Sequence, residues 1–126
     1  MIESSYDPVR ACMRHTARGT VSAEDILKAT AAWFTHPSFD ASAPVLWDFR
    51  DSYLDLSIED LLQMYEQVRL TVTGKRRGGR TAWVHESGFV RSVIEMLYGE
   101  AEWGSRWRAF QSMDEALAWC AETDTC

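Results

Sequence analysis

"VLWDFRDSYLDLSIEDLL", residues 45–62, decides the fold. Val45, Trp47 and Phe49 share one face of an extended segment and Leu46 and Asp48 the other, so residues 45–49 read as a short central strand. Asp48 and Arg50, two apart, lie on one face and can form an ion pair that fixes the exit from the strand. Residues 58–73 then carry Ile58, Leu61, Leu62, Tyr65, Val68 and Val72 on one helical stripe, and Gly74 stands where a C′ residue belongs. Between strand and helix sits Ser57. Its hydroxyl can accept the Asp60 N–H, with Asp60 as the acidic third residue, a cap that contributes about 1 kcal/mol.

Upstream, residues 2–6 and about 9–18 read as two strands forming a hairpin or an edge pair, although the second alternates imperfectly. Ser22 and Asp25 form a variant capping box, so a helix begins at Ala23. Its apolar stripe is Ala23, Ile26, Leu27, Thr30 or Ala31, and Phe34, and His36-Pro37 ends it because a residue before proline leaves the helical region. Downstream come a strand at 80–85, a helix over 88–102 with Val90, Val93, Ile94, Leu97 and Ala101 inward, and a strand at 106–110. A last helix is capped by Ser112 with Glu115 and buries Met113, Ala116, Leu117 and Cys120. Strand and helix alternate from residue 45 on. That order implies crossovers and a largely parallel sheet, which the N-terminal strands make a mixed one.

Residues 1–126 fit a single domain with one core. Apolar residues form 46% of the chain and charged residues 25%, a globular balance, and no apolar run approaches the ~18 residues of a membrane helix. The first ten residues lack the basic and apolar regions of a secretory signal, so the expected location is cytoplasmic. Cys12, Cys120 and Cys126 are odd in number and widely spaced, and are expected to be thiols rather than disulfide or zinc ligands. His15, His36 and His85 show no ligand spacing, so neither a metal nor another cofactor is expected. A net charge of −6 opposes nucleic-acid binding. The cation-rich "GKRRGGR", residues 74–80, reads either as a solvated loop or as a place where an anion is held.

Three pieces of the chain together resemble the SpoIIAA-like branch of the STAS superfamily, the domains of sulfate transporters and anti-sigma-factor antagonists. "VLWDFRDS" is similar to the family's strand ending in W-D-[LF]-R, "LSIEDL" to its helix cap, and "RAFQSMDEALAWC" to its closing F-x-x-x-[DE]-E-A-L-x-W segment. In order and spacing the likeness covers about residues 20–121. It implies an α/β fold with a mixed β-sheet of four to five strands flanked by about four α-helices, in a non-catalytic domain that works through protein contacts. The resemblance also makes Ser57 the phosphorylation candidate, because phosphoswitch members carry a serine at the start of this helix in a D-S-x-G context. Here the place reads Asp55-Leu56-Ser57-Ile58, with Leu56 after the aspartate and no glycine.

Ligands of open α/β sheets gather beyond the carboxyl ends of the strands. Those ends supply the ligand-binding candidates Asp48, Arg50, Asp51, Tyr53, His85 and Ser87. A Ser87–His85–Asp48 relay is conceivable, but there is no G-x-S-x-G elbow and Ser87 equally caps the next helix, so no catalytic residue is assigned. Of six tryptophans, Trp33, Trp103 and Trp107 lie off the core stripes and could form an aromatic surface for a homodimer. The expectation is a regulatory or protein-interaction domain, of the kind used in anti-sigma-factor-antagonist-like signalling, whose protein partner is unknown. The alternative is a carrier or sensor of a small apolar or anionic ligand held between helices and sheet.

Overall fold

The computed structural model describes residues 1–40, 42–72, 79–98 and 105–122, with 68–72, 79, 97, 98 and 105 described as backbone. Five strands and four helices follow in the order β1 (Ile2–Asp7), β2 (Cys12–Val21), α1 (Ala23–Phe34), β3 (Val45–Leu54), α2 (Ile58–Val72), β4 (Gly79–Val84), α3 (Gly88–Tyr98), β5 (Ser105–Phe110) and α4 (Met113–Ala121). The α/β class and the mixed sheet are as expected. β1 pairs antiparallel with β2, the other pairs are parallel, and the spatial order is β1-β2-β3-β4-β5.

That order determines the layers. Each crossover from β2 to β5 steps one strand in the same direction, and right-handed crossovers of one direction stack their helices on one face. Accordingly Ile26, Ala29 and Trp33 of α1, Met64 of α2 and Ile94 of α3 join Met13, Ala17, Val45, Trp47, Phe49, Trp83 and Trp107 in one cluster. On the opposite face α4 is the one helix among the described residues, and its Ala116 meets Leu46, Ala82, Val84, Phe110 and Cys12 in a smaller cluster. Residues 45–49 therefore divide between two cores as their alternation required.

Two helices are rotated from the expected stripe. On α1 the buried side chains are Ile26, Ala29 and Trp33. On α2 Met64 is buried, whereas Ile58 and Leu62 are 61% and 50% exposed. Trp33 and Trp107, expected at the surface, are 2% and 8% exposed. Trp33 reaches the sheet one turn beyond Ala29, and Trp107 falls on the inward face of β5 beside Trp83, with ring centroids 6.0 Å apart. Trp103, Cys126 and residues 74–78 lie outside the described residues, as does Ala101.

The imperfect alternation of β2 also has a cause. Met13, His15 and Ala17 point inward, and the polar member of that set is His15, 1% exposed. Its Nδ1 lies 2.7 Å from Ser4 Oγ on β1, and its ring packs 4.1 Å from Trp47. Burial pushes the His15 pKa from 6.5 down to about 3.

Candidate functional site

Four parallel strands end together, and the helices begin there. Each helix starts at a serine. Ser22 Oγ accepts the Asp25 N–H and Asp25 accepts the Ser22 N–H, a reciprocal box. Ser57 does the same with Asp60, both bonds 3.0 Å. Ser87 Oγ accepts the Val90 N–H and Ser112 Oγ the Glu115 N–H, each at 3.3 Å. A helix exposes unsatisfied N–H groups in its first turn, and serine at the N-cap answers one of them without a long side chain. Ser57 is thus a structural cap with an exposed side. Ser57→Ala is expected to lower the unfolding free energy by about 1 kcal/mol, read as a shift in the urea midpoint at unchanged m. A variant as stable as wild type would contradict the cap.

The segment "WDFRDS" turns out to encode an irregularity of the sheet. β3 continues five residues beyond the expected end, because Arg18, Gly19, Thr20 and Val21 pair with Asp51, Ser52, Tyr53 and Leu54. Between Thr16↔Asp48 and Arg18↔Asp51 the register shifts, so β3 carries one residue more than β2 there. Side chains secure the bulge. Asp48 Oδ1 accepts the Arg50 backbone N–H at 3.1 Å, and Ser52 Oγ donates to Phe49 O at 2.9 Å. The Arg50 guanidinium then grips Asp48 through two bonds of 2.9 Å, the ion pair expected from their spacing. Burial works to raise the Asp48 pKa, but the bonds from Arg50 hold it below the ordinary carboxylate value. On the other strand Gly19 takes φ +68°, a left-handed conformation that costs glycine little.

At the end of β4, His85 Nδ1 accepts the Ser87 backbone N–H at 2.9 Å. Arg91 Nη1 donates to the carbonyls of His85 and Glu86 at 2.8 and 2.9 Å, tying α3 to the turn that precedes it. Burial lowers the His85 pKa. The members of the conceivable Ser87–His85–Asp48 relay are each engaged elsewhere: Ser87 Oγ with Val90, His85 Nδ1 with the backbone, Asp48 with Arg50. Asp48, Asp51 and Glu86 all act on the Arg50 charge, so the structure does bring the ends of β3 and β4 into one electrostatic neighbourhood. Tyr53 stands apart, 69% exposed.

Sequence reading missed the other end of the sheet. A cleft of about 650 Å³ opens at the amino ends of the strands, lined by Val9, Cys12, Pro44, Arg80, Leu117 and Cys120 among others. Arg80 belongs to the "GKRRGGR" run yet is buried. Its Nη1 donates to Trp119 O at 2.8 Å and to Glu122 at 2.9 Å, and its guanidinium lies 5.0 Å from the Trp119 ring centroid. Its position in β4, opposite Arg106, directs it under α4, which composition could not reveal. Ala11, also at the cleft, takes φ 49° in the turn from β1 to β2. Cys12 and Cys120 are present as thiols. Among the described residues no group of three or more His, Cys, Asp or Glu could hold a metal ion, and no helix is long and apolar enough to cross a membrane.

Two solved structures share this architecture. One is a DUF3478-family protein with a SpoIIAA-like fold from Shewanella loihica PV-4, with TM-score 0.63 and 15% identity over 95% of this chain and 92% of that one. The other is the anti-sigma factor antagonist SpoIIAA in its unphosphorylated form, with TM-score 0.54 and 14% identity over 94% of this chain and 96% of that one. No family model and no curated protein matches the sequence. The fold is therefore SpoIIAA-like, as the three sequence motifs implied.

Proposed function

We propose that this SpoIIAA-like chain is a non-catalytic regulatory domain that works by protein contact at the carboxyl end of its sheet. The observation that carries the reading is a set of large apolar side chains turned to solvent there and on the adjoining helices. Tyr53, Ile58, Leu62 and Phe89 are 69%, 61%, 50% and 68% exposed. Tyr53 is next to last in β3, Ile58 and Leu62 lie one turn apart on α2, and Phe89 is the second residue of α3. Meanwhile the polar groups of the same end are occupied in caps, the bulge and the Arg50 pair, so they support shape rather than reaction. One neighbour of the same fold is an anti-sigma factor antagonist, which supports a regulatory reading.

The partner in this reading is a second copy, giving a homodimer through this apolar end, since Trp33 and Trp107, two of the three tryptophans expected to form the interface, are in the core. Ser57 stays the candidate for a phosphoryl group. A dianion there would meet the first-turn amides of α2, but also Asp55, Glu59 and Asp60, which weigh against a switch. The thiols of Cys12 and Cys120 fit a reducing compartment, which supports the reading of a cytoplasmic protein.

The cleft under α4 favours a second reading, a carrier of a small ligand, because its volume lies within the range of small-molecule sites. The carrier site then belongs at the amino ends of the strands rather than near Asp51, Tyr53 and His85. Native mass spectrometry reads both ideas at once. A dimer that Leu62→Glu converts to monomer is the expected result. Monomer in the wild type at all accessible concentrations removes the homodimer, and a retained small molecule turns the reading to the carrier.

A further inference from the structure

We infer that the main core contains a binding site for one hydrogen-bonding molecule of water's size, bridging His15 on β2 and Trp33 on α1. His15 Nε2 and Trp33 Nε1 are buried and have no hydrogen-bond partner among the described residues. Both residues line the same small, partly open pocket of about 20 Å³, together with Thr30, Val45, Trp47 and Thr81. That volume exceeds the ~10–15 Å³ that a single water requires and is far too small for an organic ligand. Buried polar groups in folded proteins are nearly always paired, and orphaned nitrogens on two residues that line one pocket point to a common partner.

The chemistry of the lining selects the occupant. An indole N–H only donates, so the molecule must accept from Trp33. The role of His15 Nε2 depends on which partner holds the proton in the 2.7 Å bond between Nδ1 and Ser4 Oγ. If the Ser4 hydroxyl donates, Nε2 carries the ring proton and the occupant accepts twice. If Nδ1–H donates, Nε2 is bare and the occupant must donate a hydrogen bond to it. Thr30 Oγ1 donates to Ile26 O at 2.9 Å, so toward the pocket it offers an acceptor. Water satisfies either arrangement with two or three bonds, as buried waters commonly do. An apolar molecule satisfies neither. An ion would be held without a paired countercharge in an aromatic surround. The result is a polar bridge from the edge strand through Ser4, His15 and the occupant to α1, crossing the layer that joins helix to sheet.

The test uses the wild-type protein. In ¹⁵N-labelled protein the Trp33 indole proton, assigned by sequential NMR, should show cross peaks to the water resonance with opposite sign in NOE and ROE spectra. That pattern marks direct dipolar contact rather than proton exchange. A crystal structure at about 1.5 Å should show density within 2.7–3.2 Å of both nitrogens. In His15→Phe, which removes one partner, the Trp33 contact to water should be lost while the fold, followed by far-UV circular dichroism, persists. No dipolar contact and no density in the wild type would overturn the inference, whether or not the variant folds.

Discussion

Trp83→Ala is expected to lower the unfolding free energy by about 3–5 kcal/mol, seen as a lower urea midpoint by circular dichroism. Trp83 is 1% exposed on β4, between β3 and β5. Its ring centroid is 4.7 Å from that of Phe49, 6.1 Å from Trp47 and 6.0 Å from Trp107. These rings form the floor on which the helices of that face rest, and truncation leaves a void that close-packed neighbours fill only in part. A domain of this kind has about 5–15 kcal/mol in total, so the variant should be marginal at room temperature. Trp83→Phe keeps a ring at the site and should lose clearly less. Loss of under ~1 kcal/mol in the alanine variant would show that these aromatic residues are not the structural centre.

The second large effect is on acid stability. The His15 imidazole titrates near 6.5 when unfolded and near 3 in the folded protein, because burial disfavours the cation. Between those values the unfolded chain binds a proton that the folded chain refuses. Stability therefore rises with pH in this window: the contribution is complete above pH 6.5 and is lost as the pH falls toward 3. At about 1.4 kcal/mol per pH unit, the loss is on the order of 4 kcal/mol by the lower limit. His85, also lowered by burial, acts in the same direction. Asp25, Asp40 and Asp48 have lowered values and act below the ordinary carboxylate pKa of 3.8, outside most of the window. Urea midpoints measured from pH 7 to 4 should fall steeply in wild type and much less in His15→Gln. Imidazole ¹⁵N shifts of the wild type should show His15 neutral to below pH 5. Parallel pH profiles, or a His15 that protonates near pH 6.5, would sink the prediction.

Much of the candidate site could be read in advance, and for a local reason. Ser57 with Asp60, Ser22 with Asp25, and Asp48 with Arg50 interact across two or three residues, so their geometry follows from the element they belong to. Arg80 shows the limit. Its partners Trp119 and Glu122 lie about forty residues away, and nothing in "GKRRGGR" distinguishes the cation that enters the protein from those of a solvated loop. His15 is similar, since its partner Ser4 and neighbour Trp47 come from the strands on either side.

From the chain alone came the succession of strands and helices, the residues that start each helix, and the two-sided burial of residues 45–49. These depend on short-range hydrogen bonding and on periodicity, which act within a few residues. Only the tertiary structure decided that three helices share one face while α4 has the other, and hence that Trp33, Met64 and Trp107 are core while Ile58 and Leu62 face solvent. A helix with apolar residues around more than half its circumference can turn several ways at little local cost. The position of the sheet selects among them, because the free energy of burial depends on what lies opposite, not on the helix itself.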